Sequence, residues 1–332
     1  MPIFLYLAGF VCSVLIILWG CSVFTNAVEW LGKRTNTPEG AVGSIFAALG
    51  TTLPETAIPV SAIFLTAGPA KTDVGMGAIL GAPFTETTLI LPILAILLLV
   101  FSRYGRRPPI FNLNAIAVRT DLRCFLLAFS LGIACALVPY RWLHLVSAVL
   151  LIGLYVYYVR KKLSGQPSGD ENPIPLIFAR KIELPSYGII LLQGGVGVTT
   201  LIIGSQFFVH LAENLASTLQ VSPLLLTLFI APLATELPEL ANSVLWLRHK
   251  KDTLAIGIIT GAIVFQRTIP VAIGMMGTDW NLDPLALMPM ALALIAMTWC
   301  YFHLKCLGHW RPWLLSGSAL LYFGFLFSLY SL

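Results

Sequence analysis

Apolar residues fill most of the chain in long runs, and short polar segments separate these runs. A helix needs about 20 mainly apolar residues to cross the hydrocarbon core of a bilayer. Only 11% of the residues are charged, whereas a soluble domain averages about 25%. The pattern predicts an all-α polytopic membrane protein with ten transmembrane helices. The predicted spans cover residues 3–28, 41–67, 75–101, 121–138, 142–160, 187–211, 223–247, 253–276, 284–304 and 312–331.

One polar stretch, residues 161–186, is much longer than the others and is rich in Ser, Gly, Pro and charged residues. Such a composition is typical of a linker. Five predicted spans precede it and five follow it. We therefore expect a first five-helix repeat over residues 1–162, a linker over residues 163–186 and a second five-helix repeat over residues 187–332.

The positive charges fall on one side of this predicted topology. Of the twenty Lys and Arg residues, all lie in or beside the loops after spans 1, 3, 5, 7 and 9 except Lys71, Arg141 and Arg267. We expect the chain to lie in the inner membrane. The positive-inside rule then predicts that the linker lies in the cytoplasm and that both termini lie outside the cytoplasm. The net charge of +5 follows from topology, so we expect no nucleic-acid partner.

The two predicted halves share sequence. A shift of 184 residues aligns Gly20 with Gly204, and Thr-Thr-Leu-Pro-Glu at residues 51–55 with Thr-Glu-Leu-Pro-Glu at residues 235–239. Each half has an odd number of predicted spans, so the second half enters the membrane from the opposite side and has inverted topology. Inverted repeats with interrupted helices are typical of transporters, whose binding site lies near the midplane where the repeats meet.

The shared motif puts Glu55 and Glu239 in the middle of spans 2 and 7. A carboxylate at the bilayer centre is costly, so such residues face the interior and mark ion pathways. The preceding proline removes a backbone donor and opens the helix, which frees carbonyl groups for a cation. We expect these carbonyls at Ala47, Ala48, Ala231 and Pro232. Thr51 and Thr235 lie four residues before each glutamate, on the same helix face. Hard cations prefer such oxygen ligands.

A second motif opens spans 3 and 8, with Gly77-x-x-x-Gly81 and Gly257-x-x-x-Gly261. Small residues at this spacing let helix backbones approach closely. Glu86 follows the first motif in mid-membrane, and Gln266 occupies the matching position of the second half. We add both to the candidate site, together with Glu236, which lies three residues before Glu239.

Arg267 also lies inside a predicted span, beside Gln266. Three arrangements are open at this point. Its guanidinium forms an ion pair with Glu86 or Glu236, or it turns away from the site and extends to the membrane surface. In the third arrangement it enters the site, where it would oppose cation binding.

These residues resemble a known family. Two T-x-L-P-E repeats, each followed by G-x-x-x-G at the start of the next span, are similar to the α-repeats of the Ca²⁺/cation antiporter superfamily, which includes the sodium/calcium exchangers. The resemblance covers nearly the whole chain. It implies that Glu55 and Glu239 are the central Ca²⁺ ligands, and that Thr51, Thr52 and Thr235 supply hydroxyl or carbonyl oxygens to Ca²⁺ and Na⁺ sites.

The chain departs from the family pattern at several positions. The usual second motif reads G-S-N-x-x-N or G-S-N-x-x-D, but here Ala82 and Ala262 replace the serines, and Glu86 and Gln266 occupy the last positions. Glu236 replaces a serine of the first motif. Because adjacent buried carboxylates repel one another when ionised, we expect one of them to hold a proton near neutral pH. A proton could therefore replace Na⁺ as the coupling ion.

The sequence thus predicts a secondary antiporter that exchanges Ca²⁺ or a similar cation for Na⁺ or H⁺, with spans 1 and 6 moving over the site. H⁺-coupled exchange of another divalent or monovalent cation, a cation channel or uniporter, and a sensor without transport remain alternatives. No nucleotide-binding loop, metalloprotease motif or zinc-binding Cys spacing occurs in the sequence, so we expect neither an ATP-driven pump, an enzyme nor a covalent cofactor. The expected partners are inorganic cations and lipid, and a monomer is expected to suffice.

Overall fold

A computed structural model describes residues 3–35, 47–67, 71–104, 107–163 and 174–330, without the side chains of residues 3, 47–51, 163, 234, 237, 238, 245 and 330. The regular structure in these ranges is helical and contains no strand. The α-helices are α1 (Ile3–Arg34), α2 (Ala47–Val60), α3 (Lys71–Thr85), α4 (Leu91–Arg103), α5 (Ala115–Ala136), α6 (Arg141–Leu163), α7 (Tyr187–Leu219), α8 (Pro223–Thr235), α9 (Leu237–Arg248), α10 (Asp252–Gly277), α11 (Pro284–Leu307), α12 (Pro312–Ser316) and α13 (Ala319–Tyr330).

Seven helical segments of the described ranges are long and apolar enough to cross a membrane. They match seven of the ten predicted spans. The other three predicted spans do not meet this criterion over their described residues. Spans 2 and 7 appear as shorter apolar helices, over Thr52–Leu65 and Pro223–Leu233. Span 4 corresponds to α5, whose first turns carry Arg119, Asp121 and Arg123. The all-helical membrane fold is confirmed, and the count of ten spans stays a prediction.

Helices α1 and α7 pack against each other in opposite directions over most of their length. A methyl group built on Gly20 would lie 3.0 Å from the backbone nitrogen of Leu201, and one on Gly204 would lie 2.9 Å from side-chain carbons of Ile16 and Ile17. The Phe10 and Phe208 rings meet with centroids 4.4 Å apart. The residue number on α7 falls as that on α1 rises, so the pair is antiparallel. The absence of a side chain at Gly20 and Gly204 lets the two backbones approach.

The two proline-glutamate motifs adopt different backbones. In the second half the helix is interrupted at Glu236, which separates α8 from α9. In the first half α2 continues through Pro54 and ends in a π-helical turn, Ser61–Leu65. The expectation that the helix opens at both motifs is therefore right for the second half and wrong for the first.

Helix α10 lies at the centre of the packing and contacts α2, α3, α5, α6 and α9. A polar cluster contacts its N-terminal half. Thr260 donates a 2.8 Å hydrogen bond to Asp121, and Lys162 forms a 2.7 Å ion pair with the same carboxylate. At the N-terminus of α10, Arg107 and Asp252 form a buried ion pair. These contacts join the N-terminal half of α10 to α5, to α6 and to the segment before α5.

Candidate cation site

Three buried carboxylates from both halves of the chain meet at one point. One oxygen from each of Glu55, Glu236 and Glu239 lies within 4.8 Å of the others. These residues, which we call the carboxylate cage, are at most 4% exposed. Glu55 comes from the middle of α2, Glu236 from the interruption between α8 and α9, and Glu239 from the first turn of α9.

Glu86 and Gln266 lie on the Glu236 side of the cage. Glu86 begins a π-helical turn, Glu86–Ile90, between α3 and α4, and its carboxyl group lies beside that of Glu236. Single π-helical turns often occur at functional sites. The Gln266 amide donates a 3.0 Å hydrogen bond to Glu236. Both side chains are buried. The structure therefore brings both residues of the second motif to the cage.

The predicted threonine ligands fall into two groups. Thr235 is buried, lies beside Glu55, and donates its hydroxyl hydrogen to the Ala231 carbonyl at 3.1 Å. The Thr235 hydroxyl oxygen can still accept a hydrogen bond or coordinate a cation. Thr52 is fully buried, and its carbonyl accepts a 3.3 Å hydrogen bond from Thr56. The side chain of Thr51 lies outside the described part of the chain.

Two of the carbonyls predicted to be free for a cation are already engaged. The Ala231 carbonyl accepts from the Thr235 hydroxyl, and the Pro232 carbonyl accepts from the Glu236 backbone N–H at 2.9 Å. Local hydrogen bonds thus close the turn before the interruption, and because each carbonyl oxygen has a second lone pair, cation coordination by Ala231 and Pro232 stays a prediction. The side chains of Ala47 and Ala48 are outside the described part of the chain, so the prediction for these two residues stays a prediction.

The first glycine motif packs α3 against α8. A methyl group on Gly77 would overlap the Thr227 hydroxyl, and one on Gly81 would overlap the Leu228 carbonyl. The predicted close approach is therefore present in this half. Helix α8 leads directly into Glu236, so this contact sets where one cage carboxylate stands.

Arg267 adopts none of the three arrangements expected from the sequence. Its side chain is fully buried, so it does not extend to the membrane surface. It donates to the carbonyls of Ile79 and Leu80, and its guanidinium lies 4.3 Å from the centre of the Phe129 ring. The ion pairs found among the described residues do not include it. It interacts with Glu86 only at longer range.

Cys21 is a neighbour of the cage that sequence reasoning missed, because an apolar context indicated an ordinary buried residue. It is buried on α1 and lies close enough to Glu55 and Glu239 to interact with their charges. The available signal was the repeat, because the 184-residue shift aligns Cys21 with Ser205. Ser205 is also buried, on α7. Helix α1 thus passes directly beside the cage.

The donor set fits a hard cation. Two oxygens bound to one Ca²⁺ at roughly 2.4 Å lie at most about 4.8 Å apart, which matches the spacing of the cage oxygens. Among the described residues no group donates a hydrogen bond to either carboxylate oxygen of Glu55 or Glu86. Buried carboxylates without donors are costly unless a cation or a proton neutralises them. The cage can therefore bind an ion that supplies positive charge.

Comparison with known proteins gives a consistent result. A sequence model described as the sodium/calcium exchanger protein matches residues 5–161 and 189–331. The putative antiporter CaxA of Alkalimonas amylolytica is 24% identical over 302 residues, which cover 86% of this chain and 87% of that protein. The inner membrane protein YrbG of Escherichia coli (strain K12) is 24% identical over 282 residues, covering 83% and 81% respectively.

Solved structures share the fold. The crystal structure of the H⁺/Ca²⁺ exchanger CAX superposes with a TM-score of 0.75 at 17% identity, covering 98% of this chain and 81% of that one. A structure of the sodium-calcium exchanger NCX_Mj superposes with a TM-score of 0.59 at 19% identity and covers 99% of both chains. With the sequence model matched across both halves, the chain belongs to the sodium/calcium exchanger protein family.

Proposed function

We propose that this protein is a secondary antiporter that exchanges Ca²⁺ or a similar cation for H⁺ or Na⁺ across the membrane. The observation that carries the proposal is the convergence of Glu55, Glu236 and Glu239 within 4.8 Å in a buried position. Buried carboxylates from different helices mark ion pathways. Every cage residue comes from one chain, so a monomer suffices in this proposal.

The proposed architecture is ten transmembrane helices in two inverted five-helix repeats, residues 1–162 and 187–332, joined by a cytoplasmic linker over residues 163–186. The antiparallel contact of α1 with α7 supports it, since a two-fold axis that relates residues 184 apart exchanges the contact near Gly20 with that near Gly204. Seven of the ten proposed spans correspond to described segments that are long and apolar enough to cross a membrane. The positive-inside rule places both termini outside the cytoplasm.

In this proposal Ca²⁺ binds between Glu55 and Glu239, with Glu236 as a third charged ligand. Thr51, Thr52 and Thr235 supply neutral oxygens, and Glu86 and Gln266 complete the site on the Glu236 side. Ca²⁺ takes 6–8 oxygen ligands, so carboxylates, hydroxyls and water together are required. Helices α1 and α7 cover the site and move over it to expose it to each side in turn. The contact of Cys21 with the cage region supports a covering role for α1.

The donor set favours H⁺ over Na⁺ as the counter-ion. Ala82 and Ala262 stand where the family pattern has serines, so hydroxyl oxygens for Na⁺ are missing there. Glu86 and Glu236 are additional carboxyl groups, and a carboxyl group can carry a proton when no metal is bound to it. An empty cage would keep uncompensated charge, so exchange requires that one ion replaces the other.

The test is uptake of ⁴⁵Ca²⁺ by liposomes that contain the purified protein, driven by an outward H⁺ gradient or, separately, by an outward Na⁺ gradient. We expect uptake with the H⁺ gradient and at least about tenfold less in Glu55→Gln, because the variant loses a charged ligand. Asp121→Asn is the matched control. Asp121 is a buried carboxylate outside the cage, and its variant should keep the uptake.

Other outcomes assign other functions. Uptake driven only by Na⁺ would identify a sodium-coupled exchanger. Ca²⁺ flux without any counter-ion would favour a channel or uniporter. Absence of Ca²⁺ flux under every gradient would contradict the proposed substrate, and competition by Mg²⁺ or Mn²⁺ would then be the next measurement.

A further inference from the structure

Pro83 and Arg267 lie in different halves of the chain but meet at one backbone carbonyl. Proline has no N–H, so Pro83 leaves the carbonyl of Ile79, four residues earlier in α3, without its helical donor. The Arg267 guanidinium donates to this carbonyl at 3.1 Å and to the carbonyl of Leu80 at 3.4 Å. Arg267 thus supplies the hydrogen bond that Pro83 removes.

The environment of Arg267 is otherwise apolar. Its side chain is fully buried and covers the Phe129 ring. Its Nε and Nη1 atoms have no hydrogen-bond partner among the described residues. A buried arginine is costly inside a membrane protein and marks a functional position. The backbone of α3 is the partner that Arg267 has in this structure.

The Arg267 contact lies at the turn of α3 that positions the cage. One residue after Leu80, Gly81 packs against Leu228 of α8, and α8 ends at Glu236. On the same helix as Arg267, Gln266 donates to Glu236. Helices α10, α3 and α8 therefore form a closed ring of contacts. Arg267 is the link between α10 and α3 in that ring.

We propose that Arg267 is a positioning residue, which holds α3 at the Pro83 turn and thereby sets Glu86 beside Glu236. The site requires the hydrogen bonds that Arg267 donates to α3. Arg267 is not itself a cation ligand. Only the Ca²⁺-binding part of the proposal rests on the proposed function.

The test is a double-mutant cycle of Arg267→Met and Pro83→Ala, with each variant purified in detergent and its melting temperature measured without Ca²⁺. Alanine at position 83 restores an N–H that can donate to Ile79. Arg267→Met should lower the melting temperature by about 5 °C when Pro83 is present, since it leaves a buried carbonyl unpaired. In the Pro83→Ala background, Arg267→Met should lower the melting temperature by less than about half as much.

The same variants are titrated with Ca²⁺. Arg267→Met should weaken Ca²⁺ affinity roughly tenfold, as loss of an outer partner of a metal ligand does, and Pro83→Ala should restore most of it. Arg141→Met is the matched control. Arg141 also donates to backbone carbonyls, those of Met275, Met276 and Thr278, near the end of α10. Its variant should lose stability and keep its Ca²⁺ affinity.

Two results would overturn the proposal. An equal loss of stability in both backgrounds would mean that Arg267 does not serve the carbonyl freed by Pro83. An unchanged Ca²⁺ affinity in Arg267→Met would reduce the residue to a structural one. If the unmodified protein binds no Ca²⁺, the proposed function fails and the positioning role fails with it, while the stability cycle still decides whether the hydrogen bond is made.

Discussion

Ca²⁺ is expected to lose most of its affinity for the protein when Glu239 is replaced by glutamine. The side chain is fully buried in the cage, so its charge acts on a bound ion with little screening by water. Loss of one partner of a buried charge pair costs about 2–5 kcal/mol, which corresponds to a loss of affinity of about 30-fold to several thousand-fold. Isothermal titration of Ca²⁺ into the purified variant measures this loss.

The same substitution should not unfold the protein. Glu239→Gln keeps the size of the side chain and removes one of three neighbouring carboxylates, so like-charge repulsion in the empty cage falls. We expect the melting temperature without Ca²⁺ to stay equal or to rise. The rise in melting temperature that Ca²⁺ gives the unmodified protein should disappear, since a ligand stabilises only the state that binds it.

Asp121→Asn is again the control, because it also removes a buried carboxylate charge. It should keep Ca²⁺ binding, since Asp121 interacts with Lys162, Tyr158 and Thr260 rather than with the cage. Wild-type Ca²⁺ affinity in Glu239→Gln would show that the cage is not the binding site.

The meeting of Glu55 with Glu239 follows from the sequence because of symmetry. A carboxylate predicted in mid-membrane has few stable positions, and two of them at equivalent places of the predicted inverted halves are expected to face the same interior point. Glu236 belongs to the same motif and therefore also reaches the cage. Glu86 and Gln266 were predicted from the same symmetry, and both lie beside Glu236.

The difference between the two backbones does not follow from the number of prolines. Pro232 and Pro238 flank Glu236, and each removes a helical donor beside the interruption. Helix α2 also contains two prolines, Pro54 and Pro59, yet it continues to Val60. The position that matches Pro232 in the first half is Ala48, so the two halves differ in where the prolines stand.

The role of Arg267 could not be predicted from spacing alone. The sequence does indicate that Pro83 leaves the Ile79 carbonyl without a donor. It does not indicate which side chain supplies one, because the donor comes from a helix almost 190 positions away in the sequence. A carboxylate is the usual partner of a buried arginine, and the expected ion pair with Glu86 or Glu236 rested on that rule. A backbone carbonyl can also partner a buried guanidinium.

Substitution of Gly81 is expected to have the second large effect, since it changes a backbone contact rather than a ligand. A methyl group at this position would overlap the Leu228 carbonyl and come within 2.8 Å of the Pro232 side chain. Backbone atoms cannot move aside as a flexible side chain can. We expect Gly81→Ala to push α8 away from α3 and to cost about 3 kcal/mol of stability or more. Gly81→Leu should not fold.

Gly132→Ala separates this packing effect from the ordinary effect of a glycine in a helix. Gly132 is also buried in a helix, α5, but a methyl group there would meet only Val271 and Met290, at 3.6 Å and 3.7 Å. Alanine there should be neutral or stabilising, because a helical glycine is less stable than alanine by roughly 0.5–1 kcal/mol. The melting temperatures of the two variants in detergent give the comparison.

Ca²⁺ affinity should respond to Gly81→Ala more strongly than stability does. Leu228 and Pro232 lie in the last two turns of α8, directly before Glu236, so a displacement of α8 is passed to one carboxylate of the cage. A metal site requires its ligands at distances of 2.3–2.6 Å from Ca²⁺, and a shift of one ångström removes a ligand. Variant protein that remains folded but binds Ca²⁺ as tightly as the unmodified protein would mean that Glu236 is not a ligand, and that Glu55 and Glu239 hold the cation without it.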